Sequence, residues 1–454
     1  MNWTNEILKV TGGKDILFKR SEIGAPSGPG SFEWLEIKIT DAEQLSMVLN
    51  QAKNQDIYLI SSPLSEAEPC LANFFKHNNL SDNKVVFLNL SGLTRIIEHE
   101  VSDQVISVQT GIRIESLNEY LFKSGQWLPV TGRSPEATLL SFIESGSGGP
   151  YDTAYGGARN LVLGLETALL NGTSVRSGGK IVKNVTGYDL TKMFCGSDSV
   201  FGISHVAHLR LFARPEKFVT FVINLESLTD AERMITLIVD KGLPLSSFDL
   251  VESDLLKQLI ESSNLIEAQK ISPAKSLKGS GFALISFNGN QNELEECLSL
   301  FQSEKNCIKL EDEESLAFLK SVGWLQSILD KRAVHLNLPL KKCYPLVKVL
   351  KEDEPRLKWM MTPYTGKLSF LFDASSLEES HSYREKIARQ LLAQEERETD
   401  FNPGVTISYP TPEYLKKVFH LNKSNGALLN SIKLDLKEKF DSKKILNPLI
   451  DLRG

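Results

Sequence analysis

The chain has 454 residues, 41% of them hydrophobic and 24% charged, with a formal net charge of -6. That length calls for two or three cores rather than one. The acidic balance argues against a nucleic-acid partner, which needs a basic face.

The five cysteines (Cys70, Cys195, Cys297, Cys307, Cys343) are odd in number, widely spread and without a CxxC pair. Neither a disulfide framework nor an iron–sulfur site is expected, and a reducing cytoplasm fits. No apolar run reaches the length of a membrane span. The opening MNWTNEILKVTGGKD lacks the apolar centre of a signal peptide.

In chain order, residues 24–30 (GAPSGPG) read as a loop. Residues 34–39 alternate as a strand, Thr40-Asp41-Ala42-Glu43 reads as a capping box opening a helix to about Asn54, and residues 57–60 form a short buried strand. From Lys84 to Arg214 glycines concentrate and short β-rich runs (VVFLNL, VISVQTG, LVLGLETALL, HVAHLRLF) alternate with them, which predicts a mixed sheet with functional loops. Beyond Phe218 a strand–helix–strand pattern occurs twice: FVTFVINL, a helix from Thr229, GFALISF; then AVHLNLPL, a helix near residues 344–350, KLSFLFD. Two such units suggest a ferredoxin-like α+β domain. A helix near residues 429–440 and Ile445-Leu446-Asn447-Pro448 close the chain.

The densest motif is Gly178-Gly179-Lys180-Ile181-Val182-Lys183-Asn184-Val185-Thr186-Gly187-Tyr188-Asp189-Leu190, with Ser145-Gly146-Ser147-Gly148-Gly149-Pro150 and Asn160-Leu161-Val162-Leu163-Gly164 before it. Together they resemble the FAD-binding domain of the E-type subunits of glycolate oxidase, and the ending at residues 440–448 resembles the closing motif of the vanillyl-alcohol-oxidase superfamily. The resemblance implies an α+β fold: an N-terminal extension (residues 1–33), a two-lobed PCMH-type FAD-binding domain (34–215) and a ferredoxin-like α+β cap (216–454) whose end returns to the FAD domain.

Physically, a pyrophosphate is held by backbone N–H groups lining a concavity that glycines keep open, and Gly146, Gly148 and Gly149 offer such a loop. By the resemblance, Thr138, Ser147, Asn160, Gly164 and Gly196 belong to the same cofactor surface. Lys183, Asn184, Thr186, Gly187, Tyr188 and Asp189 line the flavin-facing wall; Gly202 and Ile203 touch the cofactor through the backbone, and Asn447 comes from the closing motif. The bland alternative is a set of glycine turns that only connect strands tightly.

Three loops depart from the family pattern. A glycine-rich loop is expected after residue 60, but Ser61-Ser62-Pro63-Leu64-Ser65-Glu66 stands there, leaving the hydroxyls of Ser61, Ser62 and Ser65 as substitute donors. The paired glycines expected after Ala137-Thr138 are replaced by Leu140 and Ser141, and the last loop reads Gly196-Ser197-Asp198-Ser199-Val200-Phe201-Gly202.

Catalytic residues are not identifiable. His205 and His208 are expected on opposite strand faces, unable to share a metal, and no metal site is expected. Cys195 reads as a small buried residue, and Arg159 beside Asn160 as a cap or an anion contact. Three functions stay open. One is an FAD-binding subunit of a glycolate-like 2-hydroxy-acid dehydrogenase complex, cytoplasmic or peripheral at the inner membrane face through its partners. It would pass electrons to a separate iron–sulfur subunit beside a catalytic flavoprotein subunit. The second is a scaffold of the same fold with weakened or lost FAD, and the third a stand-alone oxidase.

Overall fold

The computed structural model describes residues 16–21, 32–61, 84–132, 134–180, 188–226, 228–262, 281–302, 307–332, 334–337, 340–353, 355–371, 404–407 and 425–448, with Ile7 and Lys9. The first lobe contains β1 (Ile16–Ser21), β2 (Phe32–Lys38), α1 (Ala42–Gln55), β3 (Tyr58–Ile60) and β4 (Lys84–Asn89) in a sheet of order β1-β2-β4-β3. β4 pairs in parallel with both β2 and β3, and its residues Val85 to Leu88 are all buried, as a strand covered on both faces requires. The cap of α1 lies one residue later than its sequence suggests. Asp41 accepts the Gln44 N–H at 2.8 Å while the Gln44 side chain reaches back to the Thr40 N–H at 2.9 Å, so the acidic side chain takes the cap role from the threonine.

The second lobe follows: β5 (Ile96–Glu100), β6 (Val105–Gln109), α2 (Ile114–Phe122), β7 (Gln126–Trp127), α3 (Leu139–Ser145), α4 (Asp152–Tyr155), α5 (Ala158–Leu161), β8 (Val162–Ala168), β9 (Ser174–Gly178), α6 (Thr191–Phe194), β10 (Ile203–Arg210) and β11 (Phe212–Ala213). Its five-stranded sheet, β5-β6-β10-β8-β9, is antiparallel at every pairing. The mixed pairing expected here belongs to the first lobe instead.

The remainder is built on one eight-stranded antiparallel sheet, ordered β15-β12-β14-β13-β17-β18-β16-β19. Its elements are β12 (Lys217–Leu225), α7 (Leu228–Lys241), β13 (Leu245–Glu252), α8 (Ser253–Ser262), β14 (Gly281–Gly289), α9 (Gln291–Gln302), β15 (Cys307–Glu311), α10 (Asp312–Arg332), β16 (Val334–Asn337), α11 (Leu340–Asp353), β17 (Lys358–Thr362), β18 (Lys367–Leu371) and β19 (Gly404–Ile407), before α12 (Asn425–Phe440). Met234, Ile238, Phe301 and Leu346 from α7, α9 and α11 pack one face around Phe221, Phe248 and Phe287. Leu255, Phe318, Val322 and Leu325 from α8 and α10 pack the other around Val222, Val251 and Leu284. Burial on both faces explains why β12 and β14 read as continuous apolar runs, each buried Leu or Phe being worth about 2 kcal/mol.

The chain end returns to the first lobe. Leu59 N–H donates to Ile445 O at 2.9 Å and Asn447 N–H to Leu59 O at 2.7 Å, so residues 445–447 extend the sheet beyond β3. Lys437 anchors this return: its buried ammonium bonds Asp441 at 2.8 Å and the carbonyls of Val200 and Leu446 at 2.8 and 2.7 Å. No helix among the described residues is long and apolar enough to cross a membrane.

Candidate functional site

Three segments converge between the two lobes: Ser61 just after β3, the last turn of α3, and the loop 196–202. Asn447 ties them together. Its side-chain oxygen accepts the Ser61 N–H at 2.9 Å, and its amide nitrogen donates to Ser61 Oγ at 2.9 Å and to Asp198 O at 2.5 Å. At the meeting point stands the carboxylate of Glu144. One of its oxygens accepts Ser61 Oγ–H at 2.6 Å and a short bond from Ser199 Oγ–H. Asp198, Ser199 and Asn447 all have left-handed backbones, at φ 48°, 55° and 45°. Such geometry costs energy for residues with a side chain and persists only where surrounding contacts impose it.

The backbone amides around this meeting point are paired within the chain. Leu139 N–H donates to Ile112 O at 2.9 Å, Leu140 N–H to Thr110 O at 2.7 Å, and Gly196 N–H to Ile143 O at 2.8 Å. Thr138 caps α3 by accepting the Ser141 N–H at 3.3 Å. Leu140 is buried in the same cluster as Leu59, Ile203 and Leu446 and fills the space between the lobes with apolar volume.

The glycine loop is closed in the same manner. Asp152, at the start of α4, accepts the Gly148 N–H at 2.8 Å and the Ser147 Oγ–H at 2.6 Å, and Gly149 N–H turns to Ser147 Oγ at 3.3 Å. A Cβ on Gly148 would meet Asp152 Oδ1 at 3.0 Å and Val130 Cγ2 at 3.3 Å. What a side chain there would strike is the protein's own packing.

The other expected site residues are scattered. Gly146 ends α3 at φ 78° and its carbonyl accepts the Ala158 N–H at 2.9 Å. Asn160 is exposed, and Arg159 donates to the Cys195 carbonyl at 3.4 Å, a capping contact. Gly164 lies in β8 against Gly178, and Gly202 N–H donates to Ser199 O at 3.3 Å. Tyr188 is 96% exposed, and Asp189 is paired with Lys192 at 3.3 Å. Ser62, Ser65, Lys183, Asn184, Thr186 and Gly187 lie outside the described residues.

His205 falls on a register shift between β10 and β8, so strict face alternation does not hold there. The two imidazoles nevertheless have separate partners, Ser174 for His205 at 3.2 Å and Ser107 for His208 at 2.8 Å. Burial lowers the pKa of both. Among the described residues no group of three or more His, Cys, Asp or Glu could hold a metal. Burial pushes the Cys195 thiol up to about 12, which makes it a poor nucleophile.

A second polar cluster, missed in the sequence, lies where α4 meets β13. Asp249 is fully buried; its Oδ1 accepts Thr362 Oγ1–H at 2.6 Å and Gln326 Nε2–H at 3.1 Å, while its Oδ2 has no partner. Burial pushes its pKa up to about 7 against the Thr362 and Gln326 bonds, and Asp152 adds a smaller upward push. Nearby, Tyr155 OH donates to Asn288 at 3.1 Å across the same interface, and Lys320 of α10 pairs with Glu115 of α2 at 2.8 Å.

The comparisons with known proteins bear on this geometry. The FAD binding domain family matches residues 72–178. The chain is 24% identical over 389 residues to a probable mitochondrial D-lactate dehydrogenase of Danio rerio, covering 80% of this chain and 74% of that protein. It is 32% identical over 148 residues to glycolate oxidase subunit GlcD of Bacillus subtilis (strain 168), covering 32% of each. In fold it is similar to p-cresol methylhydroxylase, with TM-score 0.67 and 16% identity over 100% of this chain and 97% of that one. It is equally similar to 4-ethylphenol oxidase of Gulosibacter chungangensis, with TM-score 0.67 and 15% identity over 98% and 95%. These similarities support an FAD-binding oxidoreductase, and its fold is that of p-cresol methylhydroxylase.

FAD is the cofactor these similarities support. As arranged in this chain, the residues around Glu144 do not fit a doubly charged phosphate: Leu139, Leu140 and Gly196 commit their amides internally, and the Glu144 carboxylate adds a negative charge there. Glu144 was not legible as a site residue, because an acid in a short amphipathic helix reads as a solvated face.

Proposed function

We propose that this chain is the flavin-domain subunit of a 2-hydroxy-acid dehydrogenase of the glycolate or D-lactate class. It works beside a catalytic flavoprotein subunit and hands electrons to a separate iron–sulfur subunit. The observation that carries this reading is the similarity to a D-lactate dehydrogenase across 80% of the chain, together with the similarity to a glycolate oxidase subunit. The dispersed cysteines support placing any iron–sulfur carrier on another chain. We place the complex in the cytoplasm, peripheral at the inner membrane face through its partners. The FAD domain is assigned to residues 34–215 and the cap to 216–454.

The carboxylate at the phosphate end favours a second reading, a scaffold subunit that keeps the fold and has lost the flavin. Anaerobic mixing with glycolate or D-lactate separates the readings by bleaching of the flavin absorbance. The first reading expects bleaching in the co-expressed complex and not in the FAD-saturated chain alone. Bleaching of the chain alone would make it a stand-alone oxidase, and a bleaching complex whose flavin is carried entirely by the catalytic subunit, with none on this chain, would leave the scaffold.

A further inference from the structure

We infer that Glu144 is an internal occupant of the phosphate seat, so that FAD enters this chain only when that side chain turns out. The inference rests on the reading that the cleft between the lobes takes FAD. The three segments whose departures from the family pattern are visible in the sequence are the three that close on Glu144. Ser61 stands at the start of the altered first loop and donates its hydroxyl to the carboxylate. Ser199 belongs to the altered third loop and donates to the same oxygen. Glu144 itself rides on α3, whose first turn carries Leu140 and Ser141 in place of paired glycines.

The substitutions compensate one another chemically. Removing an anion from a cradle would leave buried donors unpaired, which is costly. Here two serine hydroxyls find an acceptor in Glu144, and Asn447 closes the remaining polar groups through Ser61 and Asp198. Ser61, Ser199 and Asn447 are each at most 9% exposed while Glu144 is partly buried, so a second negative charge entering the seat meets Glu144 at close range with only partial screening. The arrangement holds the cleft closed and makes flavin occupancy conditional.

The test is FAD affinity, read by quenching of flavin fluorescence on the full chain. The wild type is compared with Glu144→Gln and Glu144→Ala, with thermal unfolding of each to show that it is folded. Glu144→Gln keeps the shape and the acceptor for the two serines and removes the charge, so it covers the case in which Glu144→Ala does not fold. Riboflavin, which has no phosphate, is titrated in parallel.

Loss of the carboxylate should tighten FAD binding by roughly ten- to a hundredfold and leave riboflavin unchanged. Equal FAD affinity in wild type and variants would overturn the inference and leave the flavin reading standing. A gain shared equally by riboflavin would also overturn it, since the phosphates would then not be what Glu144 opposes. Folded variants that bind no FAD at all would overturn both the inference and the flavin reading.

Discussion

Asn447 and Ser61 exchange two hydrogen bonds, each 2.9 Å long, across 386 residues of chain. One runs from the Ser61 N–H to the asparagine oxygen, the other from the asparagine amide to Ser61 Oγ. The same amide reaches Asp198 O, so one side chain fastens the chain end to both lobes. Asn447→Ala should cost about 2–4 kcal/mol, because it leaves the buried Ser61 N–H and the Asp198 carbonyl without that partner and puts alanine at φ 45°, where asparagine is better tolerated. Urea unfolding at constant m-value measures this. A loss below about 0.5 kcal/mol would mean that the chain end is not held this way.

Asp249 predicts a pH dependence of stability. Its folded-state pKa, pushed up to about 7, lies above the ordinary carboxyl value of 3.8, so the folded protein holds the proton more tightly than the unfolded chain. The stabilisation from that proton is fully present below about pH 4 and is lost as pH rises to about 7. Asp249→Asn keeps an acceptor for Thr362 and Gln326 and never ionises. It should flatten the decline of stability between about pH 4 and 7 and raise stability at pH 8 by up to about 4 kcal/mol. Unfolding curves across that range for both proteins check it. An unchanged slope would show that Asp249 is not the group responsible.

Gly148→Val should destabilise the protein without any ligand present. The new Cβ meets Asp152 Oδ1 at 3.0 Å and Val130 Cγ2 at 3.3 Å, so the loop must open and Asp152 lose the Gly148 N–H. Overpacking of this kind costs about 1–3 kcal/mol. A melting temperature equal to wild type in FAD-free protein would contradict the packing role.

Much of the fold is visible in the sequence where a strand is buried on both faces. VVFLNL, FVTFVINL and GFALISF are nearly continuous apolar runs, broken only by Asn89, Thr220, Asn224 and Ser286, and each is a central strand. β13 escapes that reading for a physical reason. Its segment LSSFDLVE carries Ser246, Ser247 and Asp249, polar residues that interrupt the apolar pattern and are buried because β13 forms the contact with α4. Helix α10 escapes because it packs on two sides: Phe318, Val322, Leu325 and Leu329 meet the sheet while Leu316 and Leu319 pack with Trp127, Tyr151 and Phe218, so its apolar residues do not fall on a single stripe.

The site was legible only in part. Loop departures at Ser61, Leu140 and Ser199 could be read from the motif. That they converge on Glu144 is a tertiary relation: Ser61 and Ser199 lie 83 and 55 residues from it in sequence, and no local pattern encodes such a meeting.

Whether this cleft takes FAD against an internal obstacle is decided by one titration. Purified wild-type protein, freed of flavin by dialysis, is titrated with FAD while flavin fluorescence is followed. Saturable quenching that a second dialysis reverses is expected, meaning weak, specific binding by the folded chain. Folded protein that gives no saturable quenching at all would contradict it.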